Sequence, residues 1–266
     1  MKRFFLFLVF SGLTTMVAFS QKKETRQVSG FTGINASSMF DITVTKGSAE
    51  SLTIEADDDA MPYVRSEVKN GVLNLYLSNE KQLKEIKTLK ATIVMKNLDQ
   101  ATLSGACKLT ANDLFSPEKF KAGCSGASNL VVNVNTNLLS IESSGAGKIQ
   151  INASVSGDAD INVSGASKIK GELKANNVSL GSSGACSIEL TGSAKDFKIN
   201  TSGTSNIDAV NFIVKTVTVE SSGVCKITVN ATDVLKVNSS GFSSIDYKGS
   251  PTLYTSSSKM TKINKL

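Results

Sequence analysis

"SSGACSIEL", Ser182–Leu190, is one instance of a phrase that returns along most of the chain. The same phrase reads LSGACKL, CSGASNL, SSGAGKI, VSGASKI, TSGTSNI, SSGVCKI and SSGFSSI elsewhere. Its glycines are Gly105, Gly126, Gly145, Gly165, Gly184, Gly203, Gly223 and Gly241, separated by 21, 19, 20, 19, 19, 20 and 18 residues. A fixed period of this length marks a solenoid, whose repeats bury their apolar side only against their neighbours.

The inside of one period gives the strand type. Four residues after each glycine stand Leu109, Leu130, Ile149, Ile169, Ile188, Ile207, Ile227 and Ile245. Four before stand Ala101, Ala122, Ile141, Ile161, Leu180, Ile199, Val219 and Val237. From the second unit on, a further column stands six before, from Phe120 to Leu235, while odd positions such as Lys148, Lys168 and Lys226 are polar. This alternation has a period of two, so the segments are strands with one buried face. Two after each glycine the residue is small: Cys107, Ser128, Gly147, Ser167, Cys186, Ser205, Cys225, Ser243. Small inward residues beside a glycine predict a tight corner, and the serine before each glycine is expected to satisfy backbone groups left unpaired there.

The expected fold is all-β: a right-handed parallel β-helix, or β-solenoid, of about eight coils of 18–21 residues with an N-terminal β cap. The expected organisation is a signal peptide over 1–20, a tail over 21–27, a head or cap over 28–98, and the repetitive coils over 99–266. The coils end in a worn unit, Leu253–Ile263, with Lys259 in the glycine slot. Within the head, Asn70-Gly71 predicts a hairpin turn, and the lysine-rich Asn79–Lys90 reads as a surface connection or short helix.

The leader is read from Lys2 and Arg3, the apolar run Phe4–Phe10, and Ala18-Phe19-Ser20 before Gln21. Its removal takes the net charge from +6 to +4, because Lys2 and Arg3 leave. No other stretch is long and apolar enough to span a membrane. Only Arg26 and Arg65 remain as arginines, so the composition argues against a nucleic-acid partner, whose bases and phosphates are best read by arginine. Histidine and tryptophan are absent. That excludes Ser-His-acid triads, Cys-His dyads and histidine-ligated metals.

The ordered set "VSGFTGIN", "FDITVTKG", "IEADDDAMPYVRSEVKNGVLNLYL" and the tandem SGA units resembles the putative auto-transporter adhesin, head GIN domain family, with Gly33-Ile34-Asn35 as the namesake triplet. The resemblance implies a secreted Gram-negative bacterial protein with a β-helical fold. It carries no catalytic residues over to this chain.

The residues themselves offer few sites. Asp57-Asp58-Asp59 is the densest acidic run. It lacks the spaced ligands of a calcium loop and reads as a solvated turn. Glu142 and Glu220 share one column with Asn162, Asn200 and Asn238, but lie four units apart, roughly 19 Å at β spacing. That is too far for a glycosidase pair. Asp158 and Asp160 stand at a Gly-Asp turn and read as loop chemistry. Eight equivalent serines with no base beside them read as structure. No catalytic, cofactor-binding or metal residue is assigned. The expected function is a non-enzymatic envelope protein of the periplasm or outer surface, an adhesin or scaffold for a surface polysaccharide or protein. The alternatives are a carbohydrate-active β-helix and a purely structural periplasmic protein. Cys107, Cys124, Cys186 and Cys225 all have inward parity. Cys186 and Cys225 are two coils apart, about 9.6 Å, beyond the ~7 Å reach of a bridge. Cys107 and Cys124 lie on opposite sides of their corner, so four buried thiols are expected.

Overall fold

The computed structural model describes residues 21–79 and 85–266. The expected leader at 1–20, and residues 80–84 of the expected connection, lie outside the described residues. Stacked coils form a β-solenoid of about nine turns. Two ladders of strands meet at the SGA corner. The inward columns run in register through both, Leu109 on Leu130 and onward to Ile245 in one, Ala101 on Ala122 and onward to Val237 in the other. All of these side chains are buried.

Each corner is built as the sequence predicts around glycine, and the reason is double. The eight glycines have φ from 68° to 107°, the left-handed region that a Cβ disfavours. The carbonyl of each but the last also accepts a hydrogen bond from the first residue past the next corner, as Ala127 N donates to Gly105 O at 2.7 Å and Ala185 N to Gly165 O at 2.8 Å. A Cβ on Gly184 would stand 2.6 Å from Gly165 O. The backbones approach too closely for any side chain.

The serine before the glycine plays a smaller part than expected. Ser144, Ser183, Ser202, Ser222 and Ser240 are exposed. Only Ser104, Ser125 and Ser164 reach a carbonyl of the preceding coil, at 3.4–3.5 Å. The capping comes from the buried residue two past the glycine, which turns back on the corner: Ser128 Oγ donates to Ser125 O at 2.5 Å and Ser167 Oγ to Ser164 O at 2.9 Å. Its hydroxyl also meets one two before a glycine, as Ser182 Oγ meets Ser205 Oγ at 3.2 Å and Ser143 Oγ meets Ser167 Oγ at 3.0 Å. A seam of paired hydroxyls therefore runs inside the corner. Buried polar groups are tolerated there because each has a partner.

The head is more than a cap. Gly33–Ala36 and Asp41–Lys46 form a full coil on which the first SGA unit stacks in parallel. Its corner is Ser37-Ser38, with Ser38 at φ 78° in the glycine slot. A second layer, Val72–Leu77 and Leu89–Met95, stacks in parallel on the other side of that coil. The chain thus lays an inner coil, leaves to build outer layers, and returns to start the repeats. The end is closed by antiparallel strands: Val64–Lys69 turns at Asn70-Gly71 onto Val72–Leu77, as expected, and Ser51–Asp57 pairs with Leu89–Met95. Residues 21–27, read as a tail, carry instead the strand Gln21–Arg26, which pairs antiparallel with Ser51–Asp57. Part of the expected connection is likewise strand, since Leu89–Met95 begins within it.

At the far end Leu253 pairs with Leu235 and Ile263 with Ile245. Lys259 fits the corner slot because Thr261 N closes an ordinary turn onto Ser258 O at 3.1 Å, with no left-handed residue. Among the described residues no helix is long and apolar enough to cross a membrane.

Candidate functional site: a polar column along one face

The outward position three before each glycine forms one unbroken column. Its rungs pair in the order Asn74, Asn35, Thr102, Gly123, Glu142, Asn162, Gly181, Asn200, Glu220, Asn238 and Ser256. Strand pairing spaces them about 4.8 Å apart. Every rung is polar or glycine, though the odd positions of a solvated β face need only be non-sticky. The GIN triplet belongs to this pattern. Gly33 points out between Val72 and Gln100, Ile34 is buried in the core, and Asn35 is a rung whose amide donates to Asn74 Oδ1 at 3.0 Å.

Between this column and the exposed serines runs a shallow trough. One stretch, about 610 Å³, is lined by Thr102, Glu142, Ser144, Asn162, Gly181 and Ser183 among others. A second, about 370 Å³, continues through Ser202, Glu220, Ser222, Asn238 and Ser240. They share Ser182 and Asn200. The glycine rungs Gly123 and Gly181 deepen the floor. Asn200 Oδ1 is the one buried side-chain oxygen or nitrogen without a hydrogen-bond partner among the described residues.

Each carboxylate on the column has a lysine of the preceding coil beside it. Lys121 Nζ stands 3.1 Å from Glu142 Oε2 and Lys198 Nζ 3.4 Å from Glu220 Oε1. They remain four rungs apart, so they do not form an acid pair. Asp158 and Asp160 lie in the strand Asp158–Gly165 rather than in a loop. Asp158 Oδ1 accepts from Asn177 Nδ2 at 2.7 Å. Both line a cleft with Asp99, Glu118, Lys119 and Lys121, in which the lysines stand among the acids. The aspartate run divides. Asp58 and Asp59 are exposed, but Asp57 is buried, and its carboxylate accepts from Lys87 N at 2.7 Å and Thr88 N at 3.1 Å. Asp57 is therefore a tie that fixes the returning chain, not a solvated turn residue. Only its neighbours turn in solvent. No group of three histidine, cysteine, aspartate or glutamate side chains among the described residues is placed to hold a metal ion.

The four cysteines are buried and remain thiols. Burial pushes the Cys124 thiol up to about 12, with Cys107 adding to the shift, and burial also raises Cys186. The thiolate is the reactive form. Titration of the native protein with a thiol reagent near neutral pH should find none of the four, and denaturation without reductant should release all of them. A fast-reacting native thiol would contradict the packing of the corner seam.

The family model for the "putative auto-transporter adhesin, head GIN domain" matches residues 30–157 and again 136–251. The chain belongs to this family. Among solved structures, a putative adhesin from Parabacteroides distasonis is 20% identical, with a TM-score of 0.75 over 94% of this chain and 98% of that one. A putative adhesin from Parabacteroides merdae is 20% identical, with a TM-score of 0.71 over 92% and 96%. A protein of Parabacteroides distasonis described as a putative lipid binding protein is 18% identical, with a TM-score of 0.67 over 92% and 96%. At these identities the likeness is one of fold. No curated protein matches the chain.

Proposed function

We propose that this head GIN domain protein is a non-enzymatic adhesin of the cell envelope, secreted through its leader, and that its polar column holds an extended, hydroxyl-rich polymer along the solenoid axis. The observation that carries this is the continuity of the column: rungs that are all polar or glycine, most of them amides or carboxylates, follow one another over the length of the molecule, beside a parallel line of exposed serines. Such a surface offers both donors and acceptors in series, which suits a chain of repeating polar units. Its binding energy would come from many weak contacts. A linear polysaccharide fits this description better than a folded protein, whose interface would call for an aromatic or apolar centre.

The test is retention of the protein on immobilised linear polysaccharides, with release of reducing-end or unsaturated product followed in the same samples. Retention without product is expected. Truncating three amides together, Asn162→Ala, Asn200→Ala and Asn238→Ala, should weaken retention at least about tenfold, since each lost hydrogen bond is worth about 0.5–1.5 kcal/mol. Product release would replace this reading with the carbohydrate-active one. Undiminished retention by the triple variant would move the binding surface elsewhere.

A further inference from the structure

The position directly after the corner residue forms the outer ridge of the solenoid. It is alanine at Ala106, Ala127, Ala146, Ala166 and Ala185, then Thr204. In the last three coils it becomes Val224, Phe242 and Met260, which are 56%, 63% and 51% exposed. Nothing in the fold requires this. A corner that accepts alanine in five coils gains no core packing from a phenylalanine that stands in solvent. The three side chains stack along the ridge over about 10 Å. Apolar side chains on a sheet corner in consecutive coils form a patch, not the scattered exposure that is normal on protein surfaces.

The charge of the chain is gathered at the same end. Residues 215–266 hold seven lysines against three acids, a net of +4, whereas the twenty basic and twenty acidic residues of 21–214 cancel. Lys226 stands two residues past Val224, Lys259 directly before Met260 and Lys262 two past it. None of these three lysines has an acidic partner among the described residues. The acids nearby are occupied: Glu220 by Lys198 at 3.4 Å, Asp246 by Asn264 at 2.9 Å, and Asp233 by Thr232 at 2.7 Å.

We infer that the ridge Val224–Phe242–Met260 is a membrane-contacting edge that inserts its apolar side chains at the surface of an anionic lipid bilayer while the flanking lysines meet the headgroup phosphates. An apolar tip beside unpaired ammonium groups is the arrangement that an anionic interface accepts, because the tip leaves water and the charges stay at headgroup depth. A second copy of this chain fits less well, since two ridges brought together would oppose their own lysines. The inference does not depend on the polar column, which lies on the face beside the corner and uses none of these residues.

The test is co-sedimentation of the full chain with vesicles of phosphatidylcholine alone or mixed with phosphatidylglycerol. Parent and variants share the apolar run at 4–10, so differences between them report the ridge. The parent should partition more strongly onto the anionic vesicles, and the excess should fall as salt is raised from about 0.1 M to 1 M. Phe242→Ser with Met260→Ser should reduce anionic binding about tenfold or more at an unchanged melting temperature. Lys259→Glu with Lys262→Glu should remove the preference for anionic over neutral vesicles. Three results overturn the inference: equal partition of the parent onto both vesicle types, a serine variant that binds as the parent does, or a serine variant whose only change is lost self-association in sedimentation velocity. The last would assign the ridge to a second copy.

Discussion

Ile188→Asp will open the middle of the solenoid, while Ser187→Asp next to it will leave the melt almost unchanged. Ile188 is 1% exposed and sits in register between Ile169 and Ile207. Losing its apolar burial costs about 2–5 kcal/mol, and a carboxylate among aliphatic side chains adds the desolvation of an unpaired charge. Ser187 lies at the outward parity and is only partly covered, so its change should cost under about 1 kcal/mol. Coils of a solenoid are stabilised by their neighbours. The damage should therefore appear as hydrogen exchange and proteolysis centred on coils 169–207, before the ends unfold. Equal destabilisation by the two substitutions would overturn the inward and outward assignment.

The second large effect is expected at the corner glycines, and a control separates its two causes. Gly184→Ala must hold a side chain at φ 99° and place a Cβ 2.6 Å from Gly165 O. Gly71→Ala must hold one at φ 74°, with nothing within 4 Å of the Cβ. The left-handed conformation alone costs about 1–2 kcal/mol. Gly71→Ala should show that and no more. Gly184→Ala should cost about 3 kcal/mol or more, because the carbonyl it strikes is already bonded to the coil above and cannot withdraw without breaking the stack. Denaturant melts of the two variants measure the difference. Similar values would mean that backbone crowding does not select glycine at the corner.

These two effects also show what was readable. The register of the inward columns followed from a repeat written eight times, since each aliphatic position had seven copies of itself for comparison. The corner was readable for the same reason. The coil in the head is hidden in the sequence, although Ile34 and Ile42 stand four before and four after Ser38 just as their counterparts flank each glycine. A search keyed on glycine passes over a serine that has taken the left-handed slot. Asp57 could not be told from Asp58 and Asp59, because its role depends on the amides of Lys87 and Thr88, thirty residues away in sequence. The rungs Glu142, Asn162, Asn200, Glu220 and Asn238 were visible as a column. Their continuation through Thr102 to Asn35 and Asn74 was not, because it depends on how the head stacks.

The sequence by itself determined the strand period, the corner, the parity of every repeated residue and the burial of the cysteines. All of these are local to one coil or copied between adjacent coils, and a repeat makes them legible without any long-range information. Only the tertiary structure decided the order of layers in the head, where the inner coil comes first in the chain and the outer layers and closing strands are laid over it. It also decided that the GIN asparagine is a rung of the column. Alternating patterns specify which face of a strand is buried, but not which of several equally suited edges it will pair with. That choice is made by the whole stack, through the backbone hydrogen bonds that each exposed edge still lacks.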